Sequence, residues 1–596
     1  MQIQINEKTV KVIIEDDKIL NKPYYFIESD FNCHGFGSIV LGSENNYIQN
    51  FKLNPGRHFI RLRLNQSNII AYKRIKIHLY NYDADRNFEK GKICLNGICL
   101  LWKISEDFSS EDFPEGVMIY GDRVFDNGLI YNFWLIEEES TAGNIHKGNM
   151  PSNLESVSNG IMVNKLIYHI FPDRFRREDN ESVENLTSWN SLPTNNNFFG
   201  GNFRGLISKI GYLESLGVAI IYLNPIFKSH DNHRYTVDDY FEIDPLLGEL
   251  KDFNEFIKEL EKRGMSLILD MVFNHVSIHN QIFRKYLEND KSYVDWIMHA
   301  TDYSEGKHQE YFTFKNFKKM PKLNLINPDV QRFVFNVLDF WIRLSHPIGI
   351  RYDVADSLYL ELPIKIKKSY PHILHIGEIW CDPKFFIDND AYDTFTNYQL
   401  RDLIIRLVKN QITVRKFLRF YYLQFMKLGI KRLQSINIVG SHDVPRIITV
   451  LGNEDRSLIA HAILFSMIGN PLIYYGDEVG LEGGSDPDCR RAFPWEKLGS
   501  EFNEKFKQLV NLWRGNPFFR DSFITGREFK GLKIITKVSD NGRISIIFNT
   551  RRHEVVLEGI NIGELVIQFS NRVEFKDNKI IFHRDSIIIS NLYFQD

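Results

Sequence analysis

The sequence predicts an α/β fold: a closed (β/α)8 barrel with an N-terminal β-sandwich, a small insert after its third strand and a C-terminal antiparallel β-domain. Three observations predict it. From Lys165 onward, apolar strands alternate with amphipathic helices, with strand candidates near 166, 219, 267, 349, 374, 392, 436 and 472. Such strands, separated by helices, form a parallel sheet buried on both faces. Four segments run along an apolar strand and end on an acid, at Asp270, Asp353, Glu378 and Asp443. A strand needs no terminal acid for stability, so four of them suggest one polar site where the βα loops of a barrel converge. On either side of this region the helical period gives way to short alternating runs.

Residues 1–140 carry those runs, among them Phe59-Ile-Arg-Leu-Arg-Leu64 and Tyr131-Asn-Phe-Trp-Leu-Ile136, divided by Asn, Gly and Pro turns. They read as an antiparallel sandwich. Within it Cys94-Leu-Asn-Gly-Ile-Cys99 is a hairpin with an Asn96-Gly97 turn and two reduced thiols facing across the strands. Residues 141–164, rich in Gly, Asn and Ser, read as a linker. The barrel spans 165–515. Leu206, Ile207, Ile210, Leu213 and Leu216 fall at helical spacing before Gly217 and the strand that follows. Leu250, Phe253, Phe256, Ile257 and Leu260 do the same before Gly264 and Ser266-Leu-Ile-Leu-Asp270. Between the third and fourth strands the stretch of about 276–335 exceeds one helix and forms an insert over the barrel mouth. After Arg520 the runs Leu532-Lys-Ile-Ile-Thr and Ile544-Ser-Ile-Ile-Phe predict a β-domain over 520–596.

The 596 residues are enough for several domains, and a formal net charge of −3 gives no reason to expect a nucleic-acid partner. No stretch approaches the roughly 20 apolar residues of a membrane helix, and the N-terminus has no apolar signal core. Five scattered cysteines fit a reducing compartment, so the chain reads as cytoplasmic.

The order Asp, Glu, Asp, with a His beside two of the acids, points to sugar chemistry. The motifs Ile170-Phe-Pro-Asp-Arg-Phe175, Asp270-Met-Val-Phe-Asn-His275, Met320-Pro-Lys-Leu-Asn324, Gly349-Ile-Arg-Tyr-Asp-Val-Ala355, Gly377-Glu-Ile-Trp380, Gly440-Ser-His-Asp443 and Tyr474-Tyr-Gly-Asp-Glu478 with Asp486-Pro-Asp-Cys-Arg490 carry a resemblance. In this order they resemble glycoside hydrolase family 13, the α-amylase family. Within it the likeness is to the group of neopullulanases, cyclomaltodextrinases and maltogenic amylases.

The resemblance implies cleavage of α-1,4 links in cyclodextrins, pullulan or short maltodextrins, with some glucosyl transfer. It implies Asp353 as nucleophile, Glu378 as general acid/base and Asp443 as the third acid, on the hydroxyls of the reacting sugar. Retention needs two carboxyl groups about 5–5.5 Å apart. Asp353 and Glu378 end adjacent strands, and Arg351 shares the strand face of Asp353 and keeps it ionised. A general acid near neutral pH further requires an environment that raises the pKa of Glu378. His233, Tyr235, Asn274, His275, Arg351, Trp380, His442 and Arg446 are the implied substrate-binding residues, and Asp270 the structural brace.

The reaction requires no cofactor. Calcium in some members sits near the first-strand loop, here Arg176-Arg-Glu-Asp-Asn180, but the family's Gly-Gly-Asp reads Gly200-Gly201-Asn202, and metal ligands stay unassigned. Val354-Ala-Asp356-Ser357 replaces the group's Val-Ala-Asn-Glu, leaving substrate preference open. The domain order implies a homodimer through the N-terminal domain. Alternatives are an α-1,6-acting or transglycosylating relative, and a non-catalytic barrel, which would be expected to lack one of the three acids. A metal-dependent hydrolase would want His-x-His early in the barrel, where only His169 stands.

Overall fold

The computed structural model describes residues 162–592 apart from 179–184, 299–310, 315–316, 381–382, 429–432, 517–518, 520–522 and 540–541, and before them only the backbone of strands lying between 2 and 136. The N-terminal strands form two four-stranded sheets and a hairpin. In the hairpin Cys94 pairs with Cys99 in register, as the turn requires. The packing of a sandwich over 1–140 and the linker 141–164 rest on positions outside the described residues; the linker's last residues, 162–164, run straight into the barrel.

Eight parallel strands close the barrel: β1 (Ile167–Ile170), β2 (Ile220–Leu223), β3 (Ser266–Met271), β4 (Gly349–Tyr352), β5 (Leu374–Gly377), β6 (Thr394–Asn397), β7 (Ile436–Asn437) and β8 (Asn470–Tyr474), with β8 returning to β1. Every residue of β1, β2, β4, β6 and β8 is buried, as expected of a sheet covered on both faces.

The helices begin and end where their sequences direct. The Asn202 side chain accepts the Gly205 amide at the start of helix Phe203–Leu216, and Gly217, at φ +85°, ends it. Helix Leu250–Lys262 opens with a reciprocal cap between Glu249 and Asp252. It buries Phe253, Phe256, Ile257 and Leu260 from the predicted stripe, whereas Leu250, its first residue, is exposed.

The insert keeps its predicted position but ends earlier. Helix Pro328–Ser345, capped by Asn327, leads into β4, so the last part of the predicted 276–335 segment belongs to the barrel's own helix. The isolated bridge His275–Lys322 holds the insert to the loop after β3, and Ile297–Leu323 ties the insert to itself.

The C-terminal domain is an antiparallel sheet of six strands, from Phe523–Phe529 to Lys579–Ser590. It docks on the barrel through Asp585, which accepts from Asn453 and Arg456, and through Lys537, which donates to the Ser466 carbonyl.

Candidate active site

The polar ends of β3, β4 and β5 meet on one guanidinium. Arg351, on β4 and almost fully buried, donates from Nη1 to both oxygens of Asp270, at 2.8 and 2.9 Å, and to Asp353 Oδ1 at 3.1 Å; its Nη2 stands 3.0 Å from Glu378 Oε2. Three buried carboxyl groups around one cation leave the cluster short of positive charge, so protons bind to it readily.

Asp270 takes two further donors, the hydroxyls of Tyr222 and Tyr235, both at 2.7 Å. Burial still pushes its pKa up to about 6, against the pull of Arg351. Asp353 is pushed well above the ordinary carboxylate range by burial and then by the Glu378 charge, with Arg351 opposing. The ionised state that Arg351 was expected to secure for Asp353 is thus opposed by burial and by the charge of its neighbour. Glu378 is held by three donors: Arg351, the Val354 amide at 2.6 Å and the Trp380 indole at 3.0 Å.

Val354 aims its amide at Glu378 from a left-handed backbone, φ +47°, in which a β-branched residue is strained by roughly 1–3 kcal/mol. The short turn that follows brings Asp356 Oδ2 to 3.4 Å from the Trp380 amide, so the departure from the group's pattern at Asp356 lies under the Trp380 side of the site. The Trp380 ring, 37% exposed, stacks on Tyr398 with centroids 3.7 Å apart and planes 14° from parallel.

Asp443 stands 3.2 Å from His442 Nε2 and 3.6 Å from Arg490. Arg490 is itself held by Asp486 at 2.8 Å and by the His442 carbonyl at 2.9 Å. The His442 ring lies parallel to that of Tyr235, 5.2 Å away. His275 stacks on Phe314 from the insert, its Nε2 3.0 Å from the Tyr235 carbonyl and its Nδ1 3.2 Å from Asn274 Nδ2. His233 Nδ1 accepts the Tyr235 amide. Burial depresses all three histidines, His233 and His275 to about 3, so they stay neutral at ordinary pH.

Of the residues singled out from sequence, all but one gather at this mouth. Arg446 does not. It is fully enclosed, and its donors go to the carbonyls of Cys489 and Tyr475 and to Asp477, with its guanidinium over the rings of Tyr474 and Tyr475. It braces the loops after β8 and has no exposed atom to offer a substrate. The motif placed it three residues past Asp443; the turn there carries it inward.

Four residues at the site were not singled out: Asn224, Tyr222, Tyr398 and Arg490. Asn224 follows β2 directly and obeys the strand-end rule that picked out the acids, but it carries no charge to draw notice. Tyr222 and Tyr398 read as core aromatics.

Of the loop discussed for calcium, Asp179 and Asn180 lie outside the described residues, and the acidic and amide side chains near it already accept protein donors. Asn202 Oδ1 accepts the amides of Gly205 and Glu178, and the Asp173 carboxylate accepts those of Phe199 and Gly200 beside Arg174. The oxygens are engaged, and no cluster of three metal-ligating side chains occurs among the described residues.

Residues 169–516 match the family described as alpha amylase, catalytic domain. A cyclomaltodextrinase of Thermoanaerobacter pseudethanolicus is 33% identical over 409 residues, which are 64% of this chain and 71% of the relative. A maltogenic alpha-amylase of Bacillus acidopullulyticus is 34% identical over 443 residues, 69% of this chain and 75% of the relative. The crystal structure of a maltogenic amylase from S. marinus aligns with a TM-score of 0.70 over 98% of this chain and 96% of that one, at 21% identity, a likeness of fold.

Proposed function

The chain belongs to the α-amylase family of glycoside hydrolases, and on that premise we propose that it is a retaining hydrolase of α-1,4 links in cyclodextrins, pullulan or short maltodextrins. The observation that carries this reading is the joint hold of Arg351 on Asp353 and Glu378, which keeps the two carboxyl groups within the reach of one sugar ring. Asp353 attacks the anomeric carbon as the glycosidic oxygen leaves with a proton from Glu378, giving a glycosyl ester. Glu378 then removes a proton from water, which attacks the same carbon and restores the carboxylate. Burial and the Glu378 charge beside it both raise Asp353, so the cluster takes up a proton readily. Asp443, braced by Arg490, binds sugar hydroxyls beside neutral His275 and His442, and Tyr235 stacks on the ring. Carboxyl groups carry every step, so no metal is required.

Trp380 offers an exposed aromatic face on the leaving-group side, which supports transfer to sugar acceptors as well as to water. A homodimer through the N-terminal domain would narrow the cleft and favour cyclodextrins over starch. Light scattering that gives a monomer at micromolar concentration removes it. We also place the enzyme in the cytoplasm, because its five scattered cysteines fit a reducing compartment. Fractionation of the source cells tests that placement.

A parallel time course on β-cyclodextrin, pullulan and soluble starch tests the function. Rapid cyclodextrin opening with slow starch attack supports it; the reverse marks an open-cleft amylase, and inertness on all three overturns it. Proton NMR of the first product must show the α-anomer.

A further inference from the structure

At the floor of the site a chain of hydrogen bonds runs through Asn224, a residue that touches none of the reacting carboxyl groups. Its Nδ2 lies 2.7 Å from the Tyr235 hydroxyl and 3.2 Å from His442 Nδ1, and its Oδ1 lies 3.0 Å from His169 Nε2. Donor and acceptor roles along the chain follow from the Asp270 end. Asp270 is bound by Arg351 and can only accept, so the Tyr235 hydroxyl donates to it. The Tyr235 oxygen must then accept, which turns the amide nitrogen of Asn224 toward it. That nitrogen also faces His442 Nδ1, so Nδ1 is the bare acceptor and His442 carries its hydrogen on Nε2, the atom 3.2 Å from Asp443. At the other end the Asn224 carbonyl needs a donor, and His169 supplies it from Nε2. The buried Nδ1 of His169 has no hydrogen-bond partner among the described residues, as expected if it is the bare nitrogen. Burial depresses the pKa of both histidines well below the usual range, so neither is a cation and the single hydrogen on each has one place to be.

We propose that Asn224, oriented by His169, is a positioning residue that fixes the Nε2–H tautomer of His442 and the hydroxyl direction of Tyr235 before substrate arrives. The inference rests on the hydrolase reading above and deepens it. His169 is suited to the task because it is clamped: its ring stacks on Tyr222 at 4.1 Å and sits edge-on to His442 at 5.2 Å. A wrong Asn224 rotamer would point a carbonyl at His442 Nδ1 and move the imidazole hydrogen away from Asp443 and the sugar. The charged and titratable groups facing His442 are Asp443 on its own loop, Arg351 from β4, Arg490 from the loop after β8, His233 from the loop after β2 and His169 from β1.

Asn224→Asp tests this directly, because a carboxylate of the same shape cannot donate to Nδ1. His442 then keeps a hydrogen on Nε2 only as the cation, which the new carboxylate favours. The variant is expected to keep kcat/KM at low pH and to lose roughly ten- to a hundredfold, the range for one lost buried hydrogen bond, as pH rises through the raised His442 pKa, with a smaller change in KM. A variant profile parallel to wild type across pH overturns the inference. Should that variant fail to fold, a second pair decides. His169→Gln keeps a donor to Asn224 and is expected within about threefold of wild type, whereas His169→Phe keeps the ring on Tyr222 without the donor and should fall by about tenfold or more. Equal activity of the Gln and Phe variants overturns the inference. Wild-type inertness on maltotriose is a separate result, which overturns the hydrolase reading.

Discussion

Asp353 and Glu378 bind the two terminal nitrogens of the same guanidinium, Asp353 to Nη1 and Glu378 to Nη2 of Arg351. Neither carboxyl group can leave that cation without moving relative to the other. Their separation is therefore set by a buried side chain, Arg351, rather than by either acid's own backbone.

Replacing either acid separates the two roles. Asp353→Asn removes the atom that forms the ester, and turnover of every substrate should drop by roughly 10⁴-fold or more. Glu378→Gln removes only the proton, a loss of roughly 10²–10⁴-fold on maltotriose. An aryl glycoside with a good leaving group, which needs no proton, should still give a burst of aryl alcohol with Glu378→Gln and none with Asp353→Asn. Stopped-flow absorbance on both variants checks this; near-normal maltotriose rates in either remove the assignment.

Arg351→Met leaves Asp270, Asp353 and Glu378 buried with no cation between them. The expected cost is about 3–5 kcal/mol at neutral pH. The sign with pH is definite. Without Arg351 the burial that already raises Asp270 and Asp353 is unopposed, so the folded state binds more protons than the unfolded chain and stability falls as pH rises. Thermal melts of the variant should therefore be closer to wild type at pH 5 than at pH 8, and a constant offset between the two would contradict the argument.

The parts of this site that could be read in advance are those tied to backbone periodicity. A barrel strand that ends on Asp270, Asp353 or Glu378 announces both the strand and the mouth it opens into. What could not be read depends on side chains meeting from distant segments. Arg446 has the sequence position of a substrate ligand but turns to Asp477 and two carbonyls, because the loop after β8 needs three donors there. The upward push on Asp353 was equally hidden, since it depends on how deeply the folded barrel buries it and on the Glu378 charge brought beside it. Asn224 was visible in principle, as a polar residue at the end of β2.

A further buried acid, outside the catalytic cluster, also titrates upward. Glu478, in the loop after β8, accepts the hydroxyls of Tyr168 on β1 and Tyr212 on helix Phe203–Leu216 and the amide of Gly476. Burial nevertheless pushes its pKa up to about 7, against an ordinary 4.5. Its folded-state pKa exceeds the unfolded value, so the folded state holds the extra proton and the group costs stability as pH rises from about 4.5 to 7. The full cost is on the order of 3 kcal/mol. Chemical denaturation of Glu478→Gln should show a shallower decline in stability between pH 5 and 8 than wild type, and an unchanged slope would mean that another group carries it.

Trp380 presents its ring to solvent and its indole N–H to Glu378, and the two contributions can be separated. Trp380→Phe keeps an aromatic face on Tyr398 and loses the donor; Trp380→Leu loses both. If the exposed face binds the acceptor sugar, the fraction of transfer product with maltose as acceptor should persist in the Phe variant and fall severalfold in the Leu variant, by the roughly 1 kcal/mol an aromatic contact contributes. If the indole N–H matters mainly by holding Glu378 in place, both variants should lose hydrolysis of maltotriose to a similar degree, because neither can donate. Chromatography of products from the two variants measures both ratios in one experiment. A Leu variant that transfers as well as wild type would assign the acceptor site to some other surface.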